Sequence, residues 1–244
     1  MTLRIAMWSG PRNLSTAMMR SFGSRADTIV SDEPFYGAYL RDTGDAQPMA
    51  DEVIASMNCD WSSVAETLTG PAPGDPPIWY QKHMAHHMVG PLAYDDLPGL
   101  SHAFLIRDPE RVVASYWAKR VAVRPEHLGT ARQVEYFDRE ADRLGHAPPV
   151  IDSADVLRDP AGTLDLLCAA LGISFNPKML EWAPGFRDSD GIWAPHWYDA
   201  VANSTGFGAP DERPILLDPD AQGVADACRD DYDYLSRFAL RNPA

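Results

Sequence analysis

The first twenty-five residues constrain the fold more than any other stretch. Leu3 to Trp8 is an apolar run of strand length, Ser9 to Asn13 a turn, and Leu14 to about Arg25 a helix with Ala17, Met18 and Phe22 on one face. A turn that enters a helix this directly leaves unpaired backbone N–H groups and the positive end of the helix dipole at one point, a ready site for an anion. Arg12 adds a cation there, and Ser15 and Thr16 add hydroxyl donors. The Gly-Lys-Ser/Thr of a nucleotide triphosphatase is missing from "SGPRNLST". Taken alone, the stretch reads equally well as an anion site or as a joint whose Ser and Thr merely cap the helix.

The rest of the chain alternates in the same way. Short strands are predicted at Thr28 to Val30, Ile78 to Gln81, Ala103 to Ile106 and within "PPVIDSADVLRDP". Helices are predicted at Asp51 to Met57, Ser62 to Leu68, from Asp108-Pro109 to about Val121, Thr130 to Leu144, through "AGTLDLLCAALG" to Gly172, at Asn176 to Trp182, and from Ala221 to Ala239. Asp108 is placed to cap its helix and Pro109 suits the first helical position. Strands alternating with helices predict an α/β domain over residues 1–244, its parallel β-sheet flanked by helices on both faces and its ligand edge at the strand C-termini. The Gly-, Pro- and aromatic-rich run from Pro184 to Pro210 fits no core element and is the candidate for an irregular lid.

A second segment bears on what the loop binds. In "FLIRDPERVVASYW", Arg107 leaves a strand and Ser115 follows eight residues later, so a guanidinium and a hydroxyl can grip a second phosphate at the sheet edge. Together the two segments resemble the PAPS-dependent sulfotransferases, a variant of the P-loop nucleotide-hydrolase fold. Their signatures are a Pro-Lys-Ser-Gly-Thr-Thr loop for the 5′-phosphosulfate and an Arg-x-Pro-x-x-x-x-x-Ser segment for the 3′-phosphate. Pro11-Arg12-Asn13-Leu14-Ser15-Thr16 stands in the place of the first, with Gly10 before it, and Arg107 to Ser115 in that of the second. Arg12 replaces the usual lysine, Leu14 the loop glycine, and Ala17 a frequent tryptophan; the family's Arg-Lys-Gly segment is absent, with "HWYDAVANSTGFG" in the comparable region.

The resemblance implies PAPS as donor, a small-molecule acceptor with a hydroxyl or amine, and no metal. A sulfuryl group carries less charge than a phosphoryl, so positioning and cationic stabilisation of the leaving oxygen suffice without a Mg²⁺ clamp. The acceptor proton needs a base. His83, with Lys82, resembles the Lys-Thr-His of cytosolic sulfotransferases with one residue removed; Glu33, just past a strand, is the rival base, and the two stand level. Lys82 and Arg12 are the cations for the transferring group. His86 and His87 read as cap or surface residues, and Trp61, Trp193, Trp197 and Tyr198 as walls of the acceptor pocket or an aromatic lid.

Composition bounds the partners. A formal charge of −14 argues against tracking a nucleic-acid backbone, so an anionic ligand needs a local basic pocket. No apolar run approaches the roughly twenty residues that span a bilayer, and the N-terminus enters a strand without an apolar signal core, so a cytoplasmic protein is expected. Cys59, Cys168 and Cys228 are widely spaced and read as free thiols. Two other classes stay open: a P-loop kinase or nucleotide phosphotransferase, and a non-catalytic module of the same fold that keeps only the anion site.

Overall fold

The computed structural model describes residues 2–117, 123–210 and 213–242. Five strands, β1 (Leu3–Ser9), β2 (Thr28–Asp32), β3 (Ile78–Met84), β4 (Ser101–Ile106) and β5 (Val150–Asp152), form one parallel sheet in the order β2-β3-β1-β4-β5. The inner strands are covered on both faces: every residue of β3 is buried, whereas edge strand β2 is half-buried throughout. β1 lies between β3 and β4, so its C-terminal turn opens where the connections pass to opposite sides, the position at which parallel sheets bind ligands.

Helices pack around this sheet. They are α1 (Ser15–Gly23), α2 (Tyr36–Thr43), α3 (Ala50–Ser56), α4 (Trp61–Thr69), α5 (Pro109–Trp117), α6 (Pro125–Leu128), α7 (Thr130–Leu144), α8 (Ser153–Arg158), α9 (Pro160–Ala170), α10 (Ala194–Trp197), α11 (Asp199–Ala202), α12 (Pro219–Ala227) and α13 (Arg229–Ser236). α1 packs on β2 and β3, and α7 and α13 on β4. The predicted cap of α5 forms, with Asp108 Oδ1 accepting from the Glu110 N–H at 2.9 Å. The end of that predicted helix, 118–121, falls outside the described residues.

Two expected helices differ in the structure, and two stretches read without helices carry them. α2 lies in one of these; a side chain at its Gly37 would press on Met57 and Cys59, its Cβ only 2.8 Å from that of Met57. The predicted helix at Asn176 to Trp182 is a single 3₁₀ turn, Pro177–Leu180. The long C-terminal helix is two, broken at Cys228 without Gly or Pro. At the break Arg229 turns to Asp108, 2.8 Å away. The run from Pro184 to Pro210 is irregular but carries the short α10 and α11. All three cysteines are free, and no helix among the described residues is long and apolar enough to cross a membrane.

Candidate active site

The turn after β1 is built from strained backbone. Arg12 (φ 56°) and Leu14 (φ 52°) are both left-handed, as is Glu33 (φ 45°) at the end of β2. Left-handed backbone costs a residue with a Cβ about 1–2 kcal/mol. Three of the five such non-glycine residues described line one cavity of about 460 Å³, the clustering expected where backbone strain serves a site. Asn13 pins the turn by donating to the Leu105 carbonyl at the end of β4, 2.6 Å away. Leu14 precedes α1 without a side-chain cap, so the first helical turn opens on the cavity with Ser15 and Thr16 at its wall.

The two segments that the sequence separates by about a hundred residues meet directly. Arg12 Nε donates to Ser115 Oγ at 3.0 Å, and an Arg107 terminal nitrogen donates to the Arg12 carbonyl at 2.5 Å. Arg12 is half-buried, has no carboxylate partner among the described residues, and its pKa is lowered by burial. A desolvated guanidinium without a counter-ion is a standing demand for an anion. Pro11 through Ala17, Arg107 and Ser115 all line the cavity. Gly10 does not: its Cβ would lie 2.5 Å from the Leu128 carbonyl oxygen, so it is glycine for close packing against the end of α6.

The opposite wall carries a buried ionic cluster. Lys82 Nζ lies 2.9 Å from Asp32 Oδ1, 2.6 Å from Glu33 Oε1 and 2.5 Å from the Tyr198 hydroxyl. Burial pulls the Lys82 pKa down, but the two carboxylates outweigh it and hold the group above its ordinary value. Asp32 is pushed upward by burial, against the pull of Lys82. Asp32 also receives the Tyr198 hydroxyl at 2.8 Å and the Gly191 N–H at 3.1 Å. The run that carries Gly191 and Tyr198, Pro184 to Pro210, forms a strap anchored to α1 by a two-point ion pair, Arg20 to Asp190 at 2.5 and 2.6 Å, with both side chains 3% exposed. Glu33 Oε2 makes no hydrogen bond among the described residues, and Glu33 lines the cavity.

His83 is placed elsewhere. Strand alternation sends Lys82 toward the cavity and its neighbour to the other face, where the His83 ring stacks on Trp8 with centroids 4.5 Å apart and bonds Gln81 at 3.2 Å. Burial, then His102, pushes its pKa down to about 3. A ring that does not line the cavity cannot reach the acceptor proton, and the expectation that His83 competes with Glu33 is corrected on that ground. The shift has a stability consequence. Because the folded value lies below the ordinary 6.5, the unfolded chain takes up the proton first, so stability is full above pH 6.5 and falls as pH drops toward 3. Between pH 6.5 and 5 this group alone costs about 2 kcal/mol. Urea unfolding at the two pH values is expected to show that loss, smaller by this amount in His83→Gln; equal losses would mean that His83 is not held neutral.

Sequence reasoning missed Asp32, Tyr36 and His87. Asp32 pairs in register with Lys82 across β2 and β3, which no spacing along the chain reveals. His87, read as a cap or surface group, is 2% exposed and lines the cavity with its ring stacked on Tyr36 and Tyr39, centroids 4.6 and 4.8 Å away. Tyr198 was read only as a lid aromatic. Trp193 reaches the cluster too, donating its Nε1–H to the Tyr198 hydroxyl at 3.0 Å.

An anion loop before the first helix, joined on one cavity wall by Arg107 after β4 and Ser115 on α5, is the arrangement expected of a sulfotransferase domain. The model of the sulfotransferase domain family matches residues 3–228, and the chain belongs to that family. Its fold is similar to that of a sulfotransferase from Alicyclobacillus acidocaldarius, with TM-score 0.54 and 14% identity over 100% of this chain and 98% of that one. It is also similar to the sulfotransferase domain from the curacin biosynthetic pathway, with TM-score 0.51 and 14% identity over 93% and 97%. Two Arabidopsis thaliana proteins, branched-chain-amino-acid aminotransferase-like proteins 2 and 1, are 36% identical over 211 residues and 37% over 213. Each alignment covers 86% of this chain and 37% of the relative, so the chain spans little more than a third of the length of those relatives.

Proposed function

We propose that this chain transfers the sulfuryl group of PAPS to a small-molecule acceptor. The observation that carries the reading is the 3.0 Å contact between Arg12 and Ser115, which makes one anion-gripping wall of two segments far apart in sequence. The residues fit the donor. The loop backbone at the N-terminus of α1, with Arg12, Ser15 and Thr16, suits a phosphosulfate, and Arg107 with Ser115 suits a second phosphate. Trp197 and Phe207, on the cavity wall in place of the family's missing Arg-Lys-Gly segment, offer the adenine an apolar face.

PAPS supplies an activated sulfuryl group and a good leaving group, adenosine 3′,5′-bisphosphate. Within the site, Glu33 Oε2 takes the acceptor proton while Lys82, held by Asp32 and Tyr198, binds the other carboxylate oxygen and fixes its orientation. Arg12 stands ready for charge that develops on the leaving oxygen. The strap tied down by Arg20–Asp190 covers this wall and limits water, which would otherwise compete as acceptor.

Calorimetric titration of the metal-free protein with adenosine 3′,5′-bisphosphate, beside ATP with Mg²⁺, tests the assignment. Binding of the bisphosphate alone is expected. Preference for ATP with Mg²⁺ would turn the reading to a phosphotransferase, and binding of neither to a module without catalysis.

A further inference from the structure

His87 closes the 3₁₀ turn that follows β3, its ring packed against Tyr36, Tyr39 and His86. Nδ1 of His87 is sealed in protein with no hydrogen-bond partner among the described residues. Nε2 instead faces Glu33 Oε2 at 4.0 Å. Burial, the Lys82 ammonium and His83 keep the ring neutral. A neutral imidazole carries one N–H, and a donor sealed without an acceptor costs its full desolvation. The proton therefore sits on Nε2, beside the carboxylate.

The separation of 4.0 Å is too long for a hydrogen bond and suits one bridging atom about 2.8 Å from each partner. A hydroxyl oxygen does this in one orientation: its O–H donates to Glu33 Oε2 and one of its lone pairs accepts from His87 Nε2–H. The second lone pair stays free. An amine nitrogen has a single lone pair, so accepting from Nε2–H would consume the electrons needed for attack, and an ammonium has none to offer.

We propose that His87 Nε2–H and Glu33 Oε2 together hold the reacting atom of the acceptor, and that this pair makes the enzyme specific for alcohols over amines. The inference rests on the sulfotransferase reading above. In the step, the free lone pair of the hydroxyl oxygen forms the new O–S bond as the O–H proton passes to Glu33 Oε2. The bond between sulfur and the bridging oxygen breaks, its electron pair leaving with adenosine 3′,5′-bisphosphate.

Two measurements test it. In protein labelled with ¹⁵N-histidine, with His87→Gln to assign the signals, His87 is expected as the Nε2–H tautomer at pH 7; the Nδ1–H tautomer or an imidazolium overturns the proposal. In the second, transfer from ³⁵S-labelled PAPS is followed to matched pairs: benzyl alcohol and benzylamine, 2-phenylethanol and 2-phenylethylamine, cyclohexanol and cyclohexylamine. The alcohol is expected to react at least fiftyfold faster in each pair that reacts, and an amine within tenfold of its alcohol overturns the specificity. His87→Phe is expected to raise the alcohol KM about tenfold, one neutral hydrogen bond, with less effect on kcat. His87→Gln, which keeps a donor near the Nε2 position, should recover part of that; an unchanged KM in His87→Phe also overturns the proposal. If no pair reacts, the tautomer alone decides. Failure of the wild-type protein to bind the bisphosphate strikes the donor assignment instead, and so is distinguishable from failure of this pair.

Discussion

Glu33→Gln is expected to lower kcat by about 10²–10⁴-fold, the range over which a positioned base accelerates proton transfer, while the affinity for adenosine 3′,5′-bisphosphate stays within about twofold. The amide keeps the size and hydrogen-bonding reach of the side chain and removes the proton acceptor together with the charge that faces Lys82. Lys82 retains Asp32 at 2.9 Å and Tyr198 at 2.5 Å, so the cluster is not left with an unpaired buried cation. Steady-state turnover set beside calorimetry on the same preparation separates chemistry from donor binding. Wild-type turnover in the variant would place the base elsewhere, and with it the proton route derived above.

Arg12→Ala acts on the other side of the reaction. A hydrogen bond to a charged group contributes about 1.5–3 kcal/mol, so removing the guanidinium is expected to weaken bisphosphate binding by about 10–150-fold. Arg12 is the one cation of the loop, and its Nε also holds Ser115, so the substitution loosens the second anion segment as well. Arg12→Lys should restore charge but not the fork that reaches Ser115 and an anion together, and should fall between the two. Undiminished affinity in Arg12→Ala would mean that the loop does not grip the donor.

The parts legible in the sequence are those written as local pattern. β1, its turn and α1 follow from an apolar run, a glycine and a periodic helix face, and α5 announces itself through Asp108 and Pro109. Arg12 stands out as the cation of its loop and Arg107 with Ser115 by an eight-residue spacing, each a short-range property, and the structure puts all three in one wall. What was hidden depends on long-range register. Whether Lys82 or His83 faces the cavity is a matter of one residue along a strand buried on both faces, where polarity gives no alternation to count. Asp32 meets Lys82 only once β2 pairs with β3, and Tyr198 arrives from a strap more than a hundred residues further on. The break at Cys228 is equally silent, since neither Gly nor Pro marks it.

The left-handed turn at Leu14 bears on how relatives of this chain are found. The resembling loops carry glycine at that place, the residue for which a positive φ is free; here a leucine takes φ 52° and lines the cavity. A motif spelled in letters penalises this loop at a position that shapes it, whereas a motif spelled in dihedral angles reads the left-handed turn itself. Homologues with bulky residues at the fourth place of the loop are thus better sought by backbone than by alphabet.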